Sequence, residues 1–130
     1  PELFKLYRSA DAYVHSAVQE GVPQVLVEAQ AQGVPIVATD VGSVTDVVED
    51  QRNGLLVPPR DPAALADAVL SLLRDPEFAR RLAAQGLEDA RASTLEAESK
   101  RVASWIRSAL ARRRCVRSFR HRVARVGRRR

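Results

Sequence analysis

The sequence predicts an α/β fold with a partial Rossmann-like parallel sheet followed by C-terminal helices, and three observations support this. Three apolar runs are too short for helices and are bounded by glycine, proline or polar residues, as buried parallel strands are. Segments with apolar residues at helical spacing separate these runs. Strands that alternate with helices in this way pair in parallel through right-handed crossovers.

The first half of the chain holds three strands in alternation with helices. Residues 2–10 carry apolar side chains at helical spacing, and residues 12–16 form a short β-prone run. A second helix follows, and residues 35–39 (PIVAT) form a continuous apolar strand. Residues 42–49 are long enough only for a short helix, and residues 54–58 (GLLVP) form the third strand.

The second half of the chain is predicted to be helical. Asp61 is a suitable N-cap, and Pro62 suits the first position of the helix that follows. Asp75 and Pro76 repeat this signal at the start of another helix. A last helix is expected over residues 93–110, with a buried apolar stripe. The stripes of the three helices consist of Leu65, Val69, Leu72 and Leu73, then Phe78 and Leu82, then Leu95, Val102, Trp105, Ile106 and Leu110.

Composition and length indicate part of a larger soluble protein. A parallel sheet of three strands is thin, the chain has no methionine, and it begins at Pro1, so we expect a fragment with further strands upstream. No apolar run approaches the roughly 20 residues that span a bilayer, and no signal peptide opens the chain. The single cysteine, Cys115, cannot form an internal disulfide, which fits a reducing, cytoplasmic setting.

The charges are segregated along the chain, whose net charge is +5. Residues 1–110 hold 11 basic and all 16 acidic residues, whereas residues 111–130 hold 10 arginines and no acid. Valine and phenylalanine recur in this tail at near-helical intervals. The pattern is compatible with an amphipathic helix (residues 112–130) at the inner face of an anionic membrane, with a disordered extension and, least favoured, with nucleic-acid binding.

The stretch QEGVPQVLVEAQAQGVP (residues 19–35) contains the most unusual loop and helix start. If Pro23 is the first helical residue, the N-cap is Val22, which has no side-chain oxygen for the first backbone N–H groups. A helix start with free N–H groups and a positive dipole end is a ready site for a phosphate. The N–H groups concerned are those of Gln24, Val25 and Leu26.

Two glutamates flank this helix start, eight positions apart. Glu28 lies about one turn into the helix and leans back toward its N-terminus, where a carboxylate can accept from ribose hydroxyls. Glu20 precedes Gly21 in the loop on the other side. The spacing fits a nucleotide-sugar with one acid for each end. The alternative is a solvated helix face, since Gln24, Glu28 and Gln32 recur at four-residue intervals, with Glu20 in a surface loop.

Six short motifs occur in a fixed order along the chain: Tyr7 with Ala10-Asp11, Glu20 with Glu28, Glu28-Ala29 with Gly33-Val34-Pro35, Asp40-Val41-Gly42, Asn53-Gly54-Leu55 and Asp61-Pro62. Each motif is weak alone. In this order and at these distances, they make residues 6–110 resemble the C-terminal, nucleotide-sugar-binding half of the group 1 (family 4) glycosyltransferases, which have the GT-B fold.

The resemblance implies transfer of a sugar from a nucleotide diphosphate to an acceptor hydroxyl, with retention of anomeric configuration and without a metal or other cofactor. It makes residues 1–110 a partial nucleotide-sugar-binding domain and residues 111–130 an Arg-rich tail. It places Glu20 at the catalytic face beside the donor sugar and Glu28 at the ribose hydroxyls. The remaining donor contacts are assigned to Gly21, Val22, Pro23, Gln24, Val25 and Leu26.

Several parts expected of such an enzyme lie outside this chain. The basic residues that pair with the diphosphate and the acceptor-binding N-terminal domain are expected upstream, so the chain should be inactive alone. The acceptor, a saccharide or a lipid-linked molecule, stays open. Departures from the family pattern remove no side chain that has an assigned role; they are Ser16, Ala17, Val22 and Gln30.

Other residues and functions have competing interpretations. His15, at a strand end beside the loop, either contacts the donor or is a packing histidine, and the second is favoured. Gly42 and Ser43 either line the pocket or make a tight turn, and the second is again favoured. Two rival functions remain, a non-catalytic nucleotide-binding module and a basic-tailed interaction protein that keeps the fold as a scaffold.

Overall fold

A three-stranded parallel sheet forms the centre of the chain, with a hydrophobic core on each face. The computed structural model describes residues 2–21, 23–94, 99–100, 102–108 and 110. The helices are α1 (Glu2–Ser9), α2 (Gln24–Ala31), a 3₁₀ helix (Gly42–Asp46), α3 (Pro62–Arg74) and α4 (Pro76–Ala92). The strands are β1 (Tyr13–His15), β2 (Ile36–Thr39) and β3 (Leu55–Val57).

The strands pair in the order β1-β2-β3, and both pairs are parallel. Tyr13 lies opposite Ile36, and Thr39 lies opposite Val57. Because parallel strands run in one direction, their carboxyl ends reach the same edge of the sheet, where ligands bind in open α/β folds. The predicted α/β fold with a partial Rossmann-like parallel sheet is therefore confirmed.

Each face of the sheet covers its own core. Side chains alternate along a strand, so Ile36 and Ala38 of β2 face one core while Val37 faces the other. All four residues of β2 are buried, as expected for the central strand of a parallel sheet. The first core also contains Tyr7, Leu26, Ala29 and Val44, and the second contains Leu72, Ala79 and Leu82.

Both predicted aspartate caps are present. The Asp61 carboxylate accepts from the N–H of Ala64 at 2.9 Å, and Pro62 opens α3. Asp75 accepts from the N–H of Phe78 at 2.9 Å at the start of α4. Side-chain oxygens thus satisfy backbone donors that no carbonyl of the helix can reach, and this places both helix starts where the sequence predicts them.

Two of the predicted helices differ from the structure. The short helix predicted over residues 42–49 is a 3₁₀ helix that ends at Asp46. In the last predicted helix, residues 99–100, 102–108 and 110 are helical, but the expected burial of its apolar stripe is wrong. Helical spacing identifies an apolar face without identifying a surface that covers it. The exposed side chains are Val102, Trp105, Ile106 and Leu110, and Leu95 lies outside the described residues.

The chain divides after Ala92 into two units, and each is described by itself. This boundary lies inside the range 1–110 that the sequence predicts as one domain. No helix among the residues described above is long and apolar enough to cross a membrane. The Arg-rich tail, residues 111–130, lies outside the described residues, so the alternatives for it stay predictions.

The turn before β3 is tied to α4 by a buried asparagine. Asn53 is 4% exposed, its Nδ2 donates to Asp89 at 2.7 Å, and its Oδ1 accepts from the N–H of Glu49 at 2.7 Å. Arg52 adds a hydrogen bond of 3.0 Å to each oxygen of Asp89. The sequence predicts only a turn at Asn53 and Gly54, so this link to α4 is a structural role that the pattern did not indicate.

Asp89 should make the fold sensitive to acid. Burial raises the pKa of Asp89, but hydrogen bonds from Asn53, Gln85 and Arg52 outweigh it and hold the pKa below its ordinary value of 3.8. Its carboxylate therefore stabilises the folded state above that value, and this contribution is lost as the pH falls through the folded-state pKa. We expect Asp89→Asn to flatten the acid-dependent loss of stability, measured by urea unfolding across this pH range.

The matched control is Asp67→Asn. Asp67 is exposed on α3, and its side chain makes no hydrogen bond or ion pair among the described residues. Its substitution should leave the shape of the acid limb unchanged. Equal flattening in both variants would show that the cluster around Asp89 contributes nothing specific.

Candidate functional site

The start of α2 follows the loop that leaves β1 at the carboxyl edge of the sheet. Pro23 occupies the N-cap with φ −80° and ψ 89°, and no side chain caps the helix. The N-cap is therefore one residue later than predicted, because the backbone of Pro23 is not helical and the helix begins only at Gln24. Val22, the predicted cap, lies outside the described residues.

Two backbone N–H groups at this helix start lack an acceptor among the described residues. They belong to Gln24 and Val25. The N–H of Leu26 donates to the carbonyl of Pro23 at 3.1 Å, so the expectation of a free N–H group at Leu26 is wrong. The helix start thus offers two donors and the positive end of the helix dipole, and both favour an anion.

The Glu20 carboxylate is held by two partners close to it in sequence. Its Oε1 accepts from the N–H of Gly21 at 3.0 Å, and its Oε2 lies 3.1 Å from Nε2 of His15. Because a carboxylate only accepts, this contact requires a proton on Nε2. The side chains of His15 and Glu20 are 13% and 30% exposed, so water is partly excluded. His15 is therefore a largely buried histidine whose Nε2 is satisfied by Glu20, in agreement with the favoured interpretation, and this nitrogen is not free to contact a ligand.

Glu28 and the residue one turn after it lie against α1. The hydroxyl of Tyr7 donates to Oε2 of Glu28 at 3.4 Å, which is longer than the usual O–H···O distance. Arg8 donates from Nε to Oε1 of Gln32 at 2.9 Å. Glu28 and Gln32 are partly buried, whereas Gln24 is exposed. A fully solvated helix face is therefore wrong for the later two positions, because α1 covers part of it.

Tyr13 is a side chain whose pKa responds to both predicted acids. Its ring lies 5.5 Å from the ring of Tyr7, with a 59° angle between the planes. Burial raises the pKa of Tyr13, and the charges of Glu28 and Glu20 raise it further. A charge acts on a phenol in this way only when it lies nearby. Contacts support this: Tyr13 shares a face of β1 with His15, which contacts Glu20. The ring of Tyr13 also packs against Tyr7, whose hydroxyl donates to Glu28. Both predicted acids are therefore linked to the side of β1 that carries Tyr13.

The end of β2 supports the loop that carries Glu20. Thr39 is 5% exposed, and its hydroxyl lies 3.3 Å from the carbonyl oxygen of His15 and 2.5 Å from that of Ala17. One hydroxyl proton serves one acceptor well at a time, so the shorter contact to Ala17 is the stronger hydrogen bond. The loop is thus anchored to the neighbouring strand.

Comparison with known proteins identifies the family. The sequence model described as Glycosyl transferases group 1 matches residues 1–89, about two thirds of the chain. The chain belongs to the group 1 glycosyltransferases. A D-inositol 3-phosphate glycosyltransferase of Corynebacterium glutamicum is 36% identical over 110 residues, which are 85% of this chain and 26% of that protein. This glycosyltransferase chain therefore spans about a quarter of the length of that curated relative.

Solved structures show the same fold. Sucrose-phosphate synthase from Thermosynechococcus elongatus is 36% identical with a TM-score of 0.73, and the match covers 85% of this chain and 28% of that one. Anabaena HepE in complex with UDP is 24% identical with a TM-score of 0.70, over 80% of this chain and 29% of that one. At the second identity the likeness concerns the fold alone. These neighbours are GT-B glycosyltransferases, so the resemblance stated from the motifs is confirmed.

The predicted site residues of this glycosyltransferase chain lie on one segment, from Glu20 to Glu28. No site role was predicted for Tyr7, Tyr13 or Thr39, although each contacts or flanks the site. The period of two along a strand could have placed Tyr13 on the same face as the last residue of β1, next to the loop. Tyr7 and Thr39 reach the site through tertiary packing, which no local feature of the sequence indicates.

The two tyrosines should report on the two acids separately. Burial raises the pKa of both above the ordinary value of 10.0. The pKa of Tyr7 is raised further by Tyr13 and then by Glu28, and the pKa of Tyr13 is raised further by Glu28 and then by Glu20. A nearby negative charge disfavours the phenolate, so removing that charge lowers the pKa of the tyrosine. We expect Glu28→Gln to lower the pKa of both tyrosines and Glu20→Gln to lower that of Tyr13 alone, measured by NMR titration of the ring carbons.

Glu77→Gln serves as the control for this titration. Glu77 is exposed on α4 and does not contribute to the pKa of either tyrosine. An unchanged Tyr13 pKa in Glu20→Gln would contradict the placement of Glu20 near Tyr13.

Proposed function

We propose that this chain binds a nucleotide-diphosphate sugar at the start of α2 and supplies the donor half of a site that transfers the sugar to an acceptor hydroxyl. The observation that carries the proposal is a pair of N–H groups, at Gln24 and Val25, that have no acceptor among the described residues and lie between Glu20 and Glu28 in the chain. Membership of the group 1 glycosyltransferases supports this class of donor.

The diphosphate is assigned to the helix start. The N–H groups of Gln24 and Val25 are available to its oxygens, and the helix dipole contributes typically ~0.3–1 kcal/mol for an anion at an exposed helix end. Negative charge grows on the diphosphate as its bond to the sugar breaks. Donors fixed at that position stabilise the transition state more than the ground state, and this is what accelerates the reaction.

The proposed transfer step balances without a metal or redox cofactor. The anomeric carbon loses its bond to the diphosphate oxygen and gains a bond to the oxygen of the acceptor hydroxyl. The hydroxyl proton passes to an oxygen of the departing diphosphate, and no electrons are exchanged. Retention of the anomeric configuration belongs to the proposal because the family resemblance implies it.

The two acids take different ends of the donor in this proposal. Glu28 uses Oε2 for the long contact to Tyr7, and its Oε1 makes no hydrogen bond among the described residues, which leaves it available to ribose hydroxyls. Glu20 lies in the loop before the helix start, beside the donor sugar. Its carboxylate is fixed by His15 and Gly21, and a fixed carboxylate loses little entropy when it binds a hydroxyl.

The rest of the site is proposed to lie outside the described residues. Cationic side chains for the diphosphate and the acceptor-binding domain are assigned to other parts of the full-length protein. The curated relative from Corynebacterium glutamicum is about three times as long as this chain. The acceptor is a saccharide or a lipid-linked molecule. The second case gives the Arg-rich residues 112–130 a role at the inner face of a cytoplasmic membrane.

Binding of UDP and UDP-glucose should separate the roles of the two acids. These probes are chosen because a neighbour of the same fold, HepE, was solved with each of them. Loss of a hydrogen bond to a charged group costs about tenfold or more in affinity. We expect Glu28→Gln to weaken both ligands by about tenfold and Glu20→Gln to weaken only UDP-glucose, measured by NMR titration of the 130-residue chain.

The control for the binding experiment is again Glu77→Gln, which should bind both ligands as the unmodified chain does. A non-catalytic nucleotide-binding module predicts that Glu28→Gln weakens both ligands while Glu20→Gln weakens neither. A scaffold without a donor site predicts no binding of UDP or UDP-glucose to the unmodified chain. Either result would contradict the proposed division between the acids.

The 130-residue chain by itself should not turn over a nucleotide-sugar. It lacks an assigned cation for the leaving diphosphate and a domain that binds the acceptor, so the charge that develops in the transition state is only partly stabilised. We expect no release of UDP above the uncatalysed rate when the purified chain is incubated with UDP-glucose. Sustained release that disappears in Glu20→Gln would show that the chain holds a complete hydrolytic site.

A further inference from the structure

Gly42 opens the 3₁₀ helix three residues after the end of β2, and it lies directly against the backbone of Glu20. Its φ of +52° is in the left-handed region that favours glycine. A Cβ atom at this position would overlap the carbonyl oxygen of Glu20 and would lie 3.1 Å from its carbonyl carbon. A glycine is therefore favoured at position 42 for two reasons: the positive φ angle and the lack of space for a Cβ atom.

A second residue of the same segment contacts the same loop. The Thr39 hydroxyl reaches the carbonyl oxygens of His15 and Ala17, which come before Glu20 in the chain. The loop and the end of β1 are thus in contact with Thr39 and Gly42, whereas His15 at the end of β1 and Gly21 in the loop hold the Glu20 carboxylate. The position of the Glu20 backbone depends on the segment that follows β2.

We propose that Gly42 is a positioning residue for Glu20, with Thr39 in a supporting role. Because Gly42 has no side chain, the segment after β2 packs directly against the backbone of Glu20 and restricts its position. The Glu20 carboxylate then reaches its partners, His15 and Gly21, from that position. This inference rests on the proposed function, because it takes Glu20 to contact the donor sugar. It assigns no contact with the donor to Gly42 itself.

Gly33 provides a matched comparison. It also has a positive φ, +69°, so a substitution there introduces the same kind of backbone strain. A Cβ at Gly33 would meet only a side-chain carbon of Leu87 at 3.9 Å, which is ordinary contact. Gly33→Ala therefore measures the effect of the dihedral angle alone, and Gly42→Ala adds the collision with Glu20.

The experiment measures UDP and UDP-glucose affinities of Gly42→Ala, Gly33→Ala and Thr39→Val by NMR titration of the whole chain. A general structural defect weakens both ligands together, whereas a displaced Glu20 weakens UDP-glucose relative to UDP. We expect Gly42→Ala to lower the affinity for UDP-glucose relative to that for UDP by about tenfold, the scale of one lost hydrogen bond to a charged group. Gly33→Ala should leave the ratio unchanged, and the Glu20 and Gly21 amide signals should shift only in Gly42→Ala and Thr39→Val.

Each outcome decides between the proposals. An unchanged affinity ratio in Gly42→Ala, with UDP-glucose bound by the unmodified chain, overturns the positioning role and leaves the proposed function standing. Absence of UDP and UDP-glucose binding by the unmodified chain overturns the proposed function, and the positioning role falls with it. If Gly42→Ala does not fold, Thr39→Val decides: a lowered ratio supports the positioning role, and an unchanged ratio contradicts it.

Discussion

The site depends on the parallel pairing of β1 with β2. In this register His15 lies opposite Ala38, so both strands end at the same edge and Thr39 lies beside the residues that leave β1. An antiparallel pair would put one of these two ends on the far side of the sheet. The pairing is secured because β2 is buried along its whole length between two cores. Core packing therefore fixes where the loop that carries Glu20 begins and which segment supports it.

Much of this arrangement could be predicted because its determinants are local. An aspartate followed by proline favours a helix start through local interactions alone, and both such starts in this chain lie where they were predicted. The absence of a side-chain cap at α2 is equally local, since it follows from the residue types before Gln24. The spacing of Glu20 and Glu28 brought them to one side because a loop and a single helical turn leave little freedom between them.

The features that the sequence did not indicate depend on contacts between distant residues or on small backbone differences. Tyr7 reaches Glu28 only because the end of α1 lies beside α2, where Arg8 also donates to Gln32, and nothing in either helix specifies that neighbour. The exact cap depends on one dihedral angle of Pro23, and the same turn brings the carbonyl of Pro23 within reach of the Leu26 N–H. Residue types suggested that Gly42 makes a turn, but the tight contact with Glu20 is visible only in three dimensions.

The charges of the site explain why part of it must come from elsewhere. Glu28 is four residues beyond Gln24, the first helical residue, so its backbone lies about 6 Å further along α2 than the N–H of Gln24, which has no acceptor among the described residues. This separation lets the helix start attract an anion, but no Lys or Arg among the described residues pairs with Glu20 or Glu28. A diphosphate bound at the helix start would be attracted by the partial positive charges of two backbone N–H groups and repelled by the carboxylates of Glu20 and Glu28. Cations from another part of the protein would strengthen donor binding beyond what the helix start provides, and this would couple the affinity for the donor to assembly of the complete site.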